Sequence, residues 1–155
     1  MNDNALALIE KLKKSGKTIS VAESLTGGLL AQELTAIAGA SEVFKGSITA
    51  YLDEVKIGIL KIDSELIKKH SSISAQVAES MAVNICQIMN SDIGLATTGV
   101  AGPEPSAGFA PGTVFVAVAT KDHKIWHRLV LVGDRQAIRE QSVNEVLKLA
   151  LSQVV

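Results

Sequence analysis

The 155-residue sequence is short of cysteine, of net charge and of long apolar runs, and each shortage excludes a class of protein. Its one cysteine, Cys86, cannot form an internal disulfide, which favours a reducing cytoplasmic compartment. A net charge of −1 gives no electrostatic reason to expect nucleic acid or a membrane surface as a partner. No apolar run approaches the length of a membrane span, and the polar start at Met1–Asn4 is unlike a signal peptide. We therefore expect a soluble cytoplasmic protein without nucleic-acid or membrane partners.

Metal-binding patterns are also absent from the sequence. The histidines are His70, His123 and His127, and the last two fall in a predicted hairpin, where their spacing need not make a ligand pair. No group of cysteine, histidine and carboxylate residues has the spacing of metal ligands. We predict neither a metal site nor a cofactor. The same histidines lie outside the motifs described below, so a Ser-His-Asp triad has little support.

The order of helical and strand patterns predicts an α/β fold with a mixed β-sheet covered by helices, as a single domain over residues 1–155. Helices and strands alternate at first, and the chain then continues with a hairpin and a final helix. The predicted strands cover residues 18–22, 44–52, 92–98, 112–120 and 124–132. The predicted helices cover residues 4–15, 28–38, 53–60, a segment after 63–64, 74–89 and 134–153.

A serine lies on the turn between the first predicted strand and the following helix. Ser24 is held there on a tight bend, and Gly27 and Gly28 permit close approach of the backbone. Free N–H groups at a helix start can hold an oxyanion or a phosphate. The plainer alternative is that a hydroxyl side chain only caps the helix. The turn by itself leaves both interpretations open.

Two further segments, 51–56 and 97–103, also lie at or near predicted strand ends. Ligands of open α/β sheets bind beyond the carboxyl ends of strands, so all three segments can converge on one cleft. A desolvated Lys56 can be neutral and take the serine proton, with Tyr51 as a relay or substrate contact. The alternative is a solvated helix lysine and a tyrosine that fills the sheet edge. Arg135 and Arg139 can fork onto phosphate or carboxylate, although a solvated helix face is the commoner explanation.

The motifs together resemble the C-terminal domain of the competence-damage-inducible protein CinA. The resemblance covers roughly residues 17–147, and the stand-alone members of that family include nicotinamide-nucleotide amidohydrolases of the PncC type. The ordered motifs that carry it are Ala22-Glu23-Ser24-Leu25-Thr26-Gly27-Gly28, Tyr51-Leu52-Asp53-Glu54-Val55-Lys56, Thr98-Gly99-Val100-Ala101-Gly102-Pro103, Gly112-Thr113-Val114 and Gly133-Asp134-Arg135.

The resemblance implies an enzyme that hydrolyses the carboxamide of nicotinamide mononucleotide to nicotinate mononucleotide and ammonia, in pyridine-nucleotide recycling. It implies a serine–lysine mechanism in which Ser24 is the nucleophile, Lys56 the base and Tyr51 their neighbour. The substrate-binding residues that it implies, together with the N–H groups expected to steady the oxyanion, are Thr26, Gly27, Gly28, Thr98, Gly99, Ala101, Gly102 and Arg135.

The segment after Gly102-Pro103 departs from the family pattern. Family members commonly end this segment in Lys-Pro-Val-Gly-Thr, whereas this chain has Phe109-Ala110-Pro111-Gly112-Thr113. The departure keeps a second interpretation open, a non-catalytic nucleotide-binding module with the Ser24 turn as an anion cradle. A third interpretation, a competence-associated interaction domain, comes only from the family's name. The sequence does not fix the number of copies, so a homo-oligomer also stays open.

Overall fold

The computed structural model describes residues 1–154, which form one five-stranded sheet with helices on both faces. The strand order is β2-β1-β3-β4-β5. The first strand pairs in parallel with the second and the third, whereas the other two pairings are antiparallel. The prediction of an α/β fold with a mixed sheet is therefore confirmed. The strands are β1 Ile19–Glu23, β2 Phe44–Thr49, β3 Ile93–Gly99, β4 Thr113–Thr120 and β5 Lys124–Val130.

The helices occupy nearly the predicted positions, and a short 3-10 helix at Ala40–Glu42 is additional. An aspartate at the start of a helical pattern predicts a side-chain cap. Asp63 and Asp134 confirm this expectation, whereas Asp53 lies inside its helix, where the cap position is Leu52 without a side-chain hydrogen bond. The α-helices are α1 Asp3–Ser15, α2 Leu29–Thr35, α3 Asp53–Gly58, α4 Ser64–His70, α5 Ala75–Met89 and α6 Arg135–Gln153.

The two faces of the sheet bury two separate apolar clusters, because successive residues of a strand point to opposite faces. Val21 packs with the helices α1, α2 and α6, whereas its neighbour Ala22 packs with α5. The α5 side of the sheet carries small residues, so α5 lies very close to the backbone of β3. A Cβ atom added to Gly94 would lie 2.1 Å from the Ala82 carbonyl oxygen of α5.

The parallel strands β1 and β3 lie side by side and end at the same edge of the sheet. Their carboxyl ends lead into the turn after Glu23 and the segment after Gly99. This arrangement brings two of the three predicted segments together, and α3 supplies the third. Within residues 1–154 no helix is both long and apolar enough to cross a membrane.

Candidate active site

Ser24 directly follows the last residue of β1 and extends the pairing with β3 by one position. Its N–H donates to the Thr97 carbonyl oxygen at 3.0 Å, and its own carbonyl oxygen accepts from the Gly27 N–H at 3.0 Å. The second bond closes a tight turn, and the Leu29 N–H closes a further turn onto the Thr26 carbonyl oxygen. The central residues of this further turn, Gly27 and Gly28, are left-handed, with φ of +58° and +103°. Glycine adopts this conformation without a steric penalty. Strand pairing and turn together therefore fix the backbone that carries the serine.

Lys56 extends from α3 to the Ser24 hydroxyl. Its side chain is only 2% exposed, and its Nζ lies 3.0 Å from Ser24 Oγ and 3.2 Å from the Tyr51 carbonyl oxygen. Burial lowers the pKa of the Lys56 amine below its ordinary value of 10.5, and the nearby Asp53 carboxylate offsets part of that effect. The interpretation of Lys56 as a solvated helix lysine is therefore wrong. A buried amine in contact with a serine hydroxyl can act as the base that activates it.

Of the two interpretations of the start of α2, a free anion site is not what the structure shows. The side chain of Glu23 is fully buried, and its two carboxylate oxygens accept from the Leu30 N–H at 2.8 Å and the Ala31 N–H at 3.1 Å. A carboxylate at this position satisfies the free donors of the first turn and complements the helix dipole. The interpretation in which these donors face a ligand is therefore wrong, because the chain supplies its own anion.

A cavity of about 760 Å³ opens above Ser24 at the carboxyl ends of β1 and β3. This volume is within the range of roughly 300–1,000 Å³ that is usual for small-molecule sites. Most of the residues that the sequence and the resemblance indicate line it, namely Ser24, Tyr51, Lys56, Thr98, Gly99, Ala101, Gly102 and Arg135. The structure thus brings distant segments of the chain to one cleft.

Three of the indicated residues, Thr26, Gly27 and Gly28, do not line the cavity. Thr26 is fully buried, and its hydroxyl forms a hydrogen bond of 2.7 Å with that of Thr97 beneath the turn. The Gly27 N–H is already engaged by the Ser24 carbonyl oxygen. The positions of these three residues give no support to a role in substrate binding; they shape the turn.

Thr98 and Arg135 connect the walls of the cavity. The Thr98 hydroxyl donates to the Ser72 carbonyl oxygen at 2.7 Å, which joins the end of β3 to the segment before α5. Arg135, in the first turn of α6, donates from Nη1 to the Gly102 carbonyl oxygen at 2.5 Å and from Nη2 to the Tyr51 hydroxyl at 2.9 Å. The guanidinium therefore bridges Tyr51 and the segment after β3 at the cavity rim.

The unusual segment after Gly102 folds into a tight turn of its own. The backbones of Ser106 and Phe109 exchange two hydrogen bonds, of 3.1 and 2.8 Å. The Phe109 side chain is half-buried against the apolar cluster on the α5 side and does not line the cavity. Phe109, which stands where family members commonly have lysine, therefore leaves the space above Ser24 open.

Several residues of the site were missed by the sequence analysis. Ser72 lines the cavity, and Glu23 holds the start of α2. Asp53 lies 3.9 Å from the Lys56 amine, and their spacing of three residues on one helix was an available signal. The sequence indicates Arg139 as a possible anion ligand but not its contact with the turn, where its Nε donates to the Leu25 carbonyl oxygen at 3.1 Å.

Within residues 1–154 no three His, Cys, Asp or Glu side chains are grouped as a metal site would need.

Comparison with known proteins agrees with the fold and the motifs. The family model of the CinA C-terminal domain matches residues 2–154. A curated relative from Bacillus cytotoxicus, named for competence-damage induction, is 46% identical over 136 residues, which is 87% of this chain and 33% of the relative. The chain thus spans about a third of the length of the curated relatives it matches.

Solved structures match over nearly the full length of both chains. A CinA superfamily protein from Klebsiella pneumoniae has a TM-score of 0.96 at 27% identity, with 99% of this chain and 98% of that chain covered. A competence or damage-inducible protein from Enterobacter asburiae has a TM-score of 0.96 at 30% identity, with 99% and 97% covered. These similarities concern the fold and the family, and none of the names states a reaction.

Proposed function

This chain belongs to the CinA C-terminal domain family, and we propose that it is an amidohydrolase that converts nicotinamide mononucleotide to nicotinate mononucleotide and ammonia. The observation that carries the proposal is the 3.0 Å contact between the buried Lys56 amine and the Ser24 hydroxyl at the floor of an open cavity. A lysine in this environment is a general base for a serine nucleophile. The choice of substrate comes from the motif resemblance.

The proposed reaction proceeds in two halves through an acyl-enzyme. The neutral Lys56 amine accepts the Ser24 proton as Oγ bonds to the carboxamide carbon, and the carbonyl oxygen becomes an oxyanion. The C–N bond then breaks, and the ammonium of Lys56 donates its proton to the departing nitrogen, which leaves as ammonia. In the second half Lys56 takes a proton from water as the water oxygen attacks the ester carbon. The ester C–O bond then breaks, the Lys56 ammonium returns the proton to Ser24 Oγ, and the acid product loses its proton to solvent as the carboxylate.

We assign the oxyanion to the backbone N–H of Leu25, which has no hydrogen-bond acceptor among residues 1–154. The C=O and N–H groups of a trans peptide unit point in opposite directions. The Ser24 carbonyl oxygen accepts from the Gly27 N–H, so the Leu25 N–H of the same peptide unit points away from Gly27. Leu25 also lines the cavity beside Ser24. An N–H directly after the nucleophile is a common oxyanion donor.

One cation at the cavity rim, Arg135, can bind an anionic group of a substrate, although the carboxylates of Asp53 and Glu104 also line the cavity. The Arg135 guanidinium forms no ion pair with a carboxylate among residues 1–154. Its present acceptors, a carbonyl and a hydroxyl, carry no charge, whereas a phosphate would add the opposite charge and can accept two parallel hydrogen bonds from the guanidinium. The phosphate of a mononucleotide would thus meet Arg135 while the carboxamide meets Ser24.

The deciding experiment measures ammonia release from nicotinamide mononucleotide by the wild type and by Ser24→Ala and Lys56→Ala. Both substitutions should lower kcat by about 10³-fold or more, as in other serine hydrolases that lose the nucleophile or base. Ser47→Ala, an exposed serine on β2, is the matched control and should keep full activity. Circular dichroism confirms that each variant is folded. Undiminished ammonia release by Ser24→Ala would refute the mechanism.

The non-catalytic alternative, in which the Ser24 turn cradles a nucleotide phosphate, has less support. That interpretation needs free N–H groups at the start of α2, and the Glu23 carboxylate already accepts from Leu30 and Ala31 there. It would be favoured by thermal stabilisation of the wild type on addition of nicotinamide mononucleotide without any release of ammonia. The interaction-domain alternative has only the names of the relatives in its favour.

A further inference from the structure

Arg139 contacts the turn that carries Ser24 without lining the cavity. It lies on α6 one helical turn after Arg135 and is half-buried. Its Nε donates to the Leu25 carbonyl oxygen at 3.1 Å, and its Nη2 donates to the Thr26 carbonyl oxygen at 2.8 Å. The remaining nitrogen, Nη1, donates to Gln136 Oε1 at 2.9 Å. Each nitrogen of the guanidinium therefore donates one hydrogen bond, one to α6 and two to consecutive carbonyls of the turn.

These contacts determine which way the peptide groups of the turn face. The Leu25 carbonyl points to Arg139, so the Thr26 N–H of the same trans peptide points away from α6. The preceding peptide is held by the bond from the Gly27 N–H to the Ser24 carbonyl oxygen. Consecutive peptide units share a Cα atom, so fixing the second unit limits rotation of the first, which contains the Leu25 N–H.

Glu23 holds the same segment from the other end. Its carboxylate accepts from the Leu30 and Ala31 N–H groups at the start of α2. The turn thus lies between two fixed points, the Glu23 carboxylate bound to the N–H groups of α2 and the Arg139 guanidinium bound to the carbonyls of the turn. Glu23 is fully buried, so its substitution would disturb folding, whereas Arg139 lies at the surface and can be changed with less risk.

We propose that Arg139 is a positioning residue for the nucleophile. Its fork on the Leu25 and Thr26 carbonyls keeps Ser24 Oγ within reach of Lys56 and keeps the Leu25 N–H aimed at the oxyanion. It touches neither the substrate nor the reacting atoms. This inference rests on the proposed amidohydrolase function and adds a residue that acts through the backbone. Precise placement matters to the rate, because a displacement of about 1 Å can cost roughly 10²-fold.

A positioning role and a merely structural role predict different results. A residue that only joins α6 to the turn would lower the thermal midpoint when replaced and would leave the folded enzyme's rate constants unchanged. A substrate contact would raise KM at constant kcat. A positioning residue lowers kcat, leaves KM nearly unchanged, and lowers the intrinsic reactivity of Ser24 towards a reagent that does not resemble the substrate.

The test compares Arg139→Gln and Arg139→Lys with the wild type at a temperature where all are folded. Steady-state ammonia release gives kcat and KM, and labelling by a small fluorophosphonate gives the reactivity of Ser24. We expect Arg139→Gln to lower kcat and the labelling rate by about 10- to 100-fold with KM within about twofold. Arg139→Lys should recover only part of the loss, since an ammonium cannot bind both carbonyls in the fixed fork of a guanidinium.

Lys148→Gln is the matched control, because Lys148 is an exposed cation on the same helix and pairs only with Glu145 among residues 1–154. It should leave both rates unchanged. Wild-type kcat and labelling in Arg139→Gln, or a lowered thermal midpoint alone, would overturn the inference. A wild type that labels at Ser24 but releases no ammonia would refute the proposed substrate, and the labelling rates would still decide the role of Arg139. A wild type that neither labels at Ser24 nor releases ammonia would overturn both the proposed function and the role of Arg139.

Discussion

The Lys56 amine lies 3.9 Å from the Asp53 carboxylate, and the two side chains are 2% and 54% exposed. The carboxylate is therefore largely solvated, and its field is screened more than that of a buried partner. This difference explains why burial dominates the pKa of Lys56 and why Asp53 only offsets part of the effect. Asp53 raises the pKa of Lys56 by less than burial lowers it.

Asp53→Asn should move the pH dependence of the reaction to lower pH. Asp53 raises the pKa of Lys56, so removing its charge lowers that pKa further and increases the neutral fraction at a given pH. The rate of ammonia release should rise with pH through a midpoint below 10.5 in the wild type and through a lower midpoint in the variant. Glu54→Gln makes the same charge change on the same helix and should shift the midpoint less. An equal shift in both variants, or a shift to higher pH, would contradict the assignment.

Lys56→Met should stabilise the protein while it abolishes turnover. The pKa of the buried amine is lowered in the folded state, so the unfolded chain binds more protons between the folded pKa and 10.5. Stability of the wild type is therefore penalised below the folded pKa and recovers as the pH rises to 10.5. The variant should unfold several degrees higher at pH 7, since about 1 kcal/mol shifts the midpoint by roughly 2–4 °C at this size.

The stabilisation by Lys56→Met should shrink as the pH approaches the ordinary lysine value, because the wild type then loses its penalty. Thermal unfolding of both proteins across the alkaline range measures this convergence. Lys61→Met, at an exposed lysine close in sequence, should show no comparable gain. A lower midpoint in Lys56→Met at pH 7 would mean that its contacts with Ser24 and Tyr51 outweigh the cost of burial.

Gly94→Ala should be strongly destabilising, because the new Cβ would lie 2.1 Å from the Ala82 carbonyl oxygen and 2.7 Å from Cys86 Sγ. The obstructing oxygen is backbone, so α5 must move away from β3, and overpacking of this kind costs about 1–3 kcal/mol or more. Gly58→Ala is the control, since no atom lies within 4 Å of the added Cβ on α3. It should be neutral or stabilising by up to about 1 kcal/mol. Chemical denaturation of both variants measures the difference.

The fold was largely predictable because its signals are local. Strand and helix patterns, and caps such as Asp63 and Asp134, depend on neighbours in sequence. The burial of the Lys56 side chain has no such local signal, because it depends on other segments of the chain that pack against its short helix. The interpretation of the start of α2 as a free anion site failed for a related reason. Sequence spacing cannot show that the Glu23 side chain turns back onto the helix that follows it.

The contacts of α6 were the least predictable from local sequence, because they join residues far apart in the chain. Arg139 and Leu25 are 114 residues apart, and Arg135 and Tyr51 are 84 residues apart. An arginine in the first turns of a helix is most often solvated, and only the packing of α6 brings Arg135 to the cavity and Arg139 to the carbonyls of the Ser24 turn. The motif resemblance indicated Arg135 at the site but gave neither its partners nor the role of Arg139.

Tyr51→Phe separates two roles of the tyrosine, because its hydroxyl and its backbone contact different groups. The hydroxyl accepts from Arg135 Nη2 at 2.9 Å, whereas the carbonyl oxygen accepts from Lys56 at 3.2 Å. Phenylalanine keeps the carbonyl, so the pH midpoint set by Lys56 should not move. The loss of one neutral acceptor leaves Arg135 less fixed, so we expect KM for nicotinamide mononucleotide to change by up to about tenfold with kcat little altered.

Arg135→Lys supplies the matched test, since Tyr51 and Arg135 form one contact across the cavity rim. If the hydroxyl acts only through the guanidinium, the double variant should be no worse than Arg135→Lys alone, because residues of one network are not additive. Steady-state kinetics of the three variants measure this coupling. A proton relay through the tyrosine predicts the opposite pattern. In that case Tyr51→Phe would lower kcat by about 10²-fold or more, both in the wild type and in Arg135→Lys.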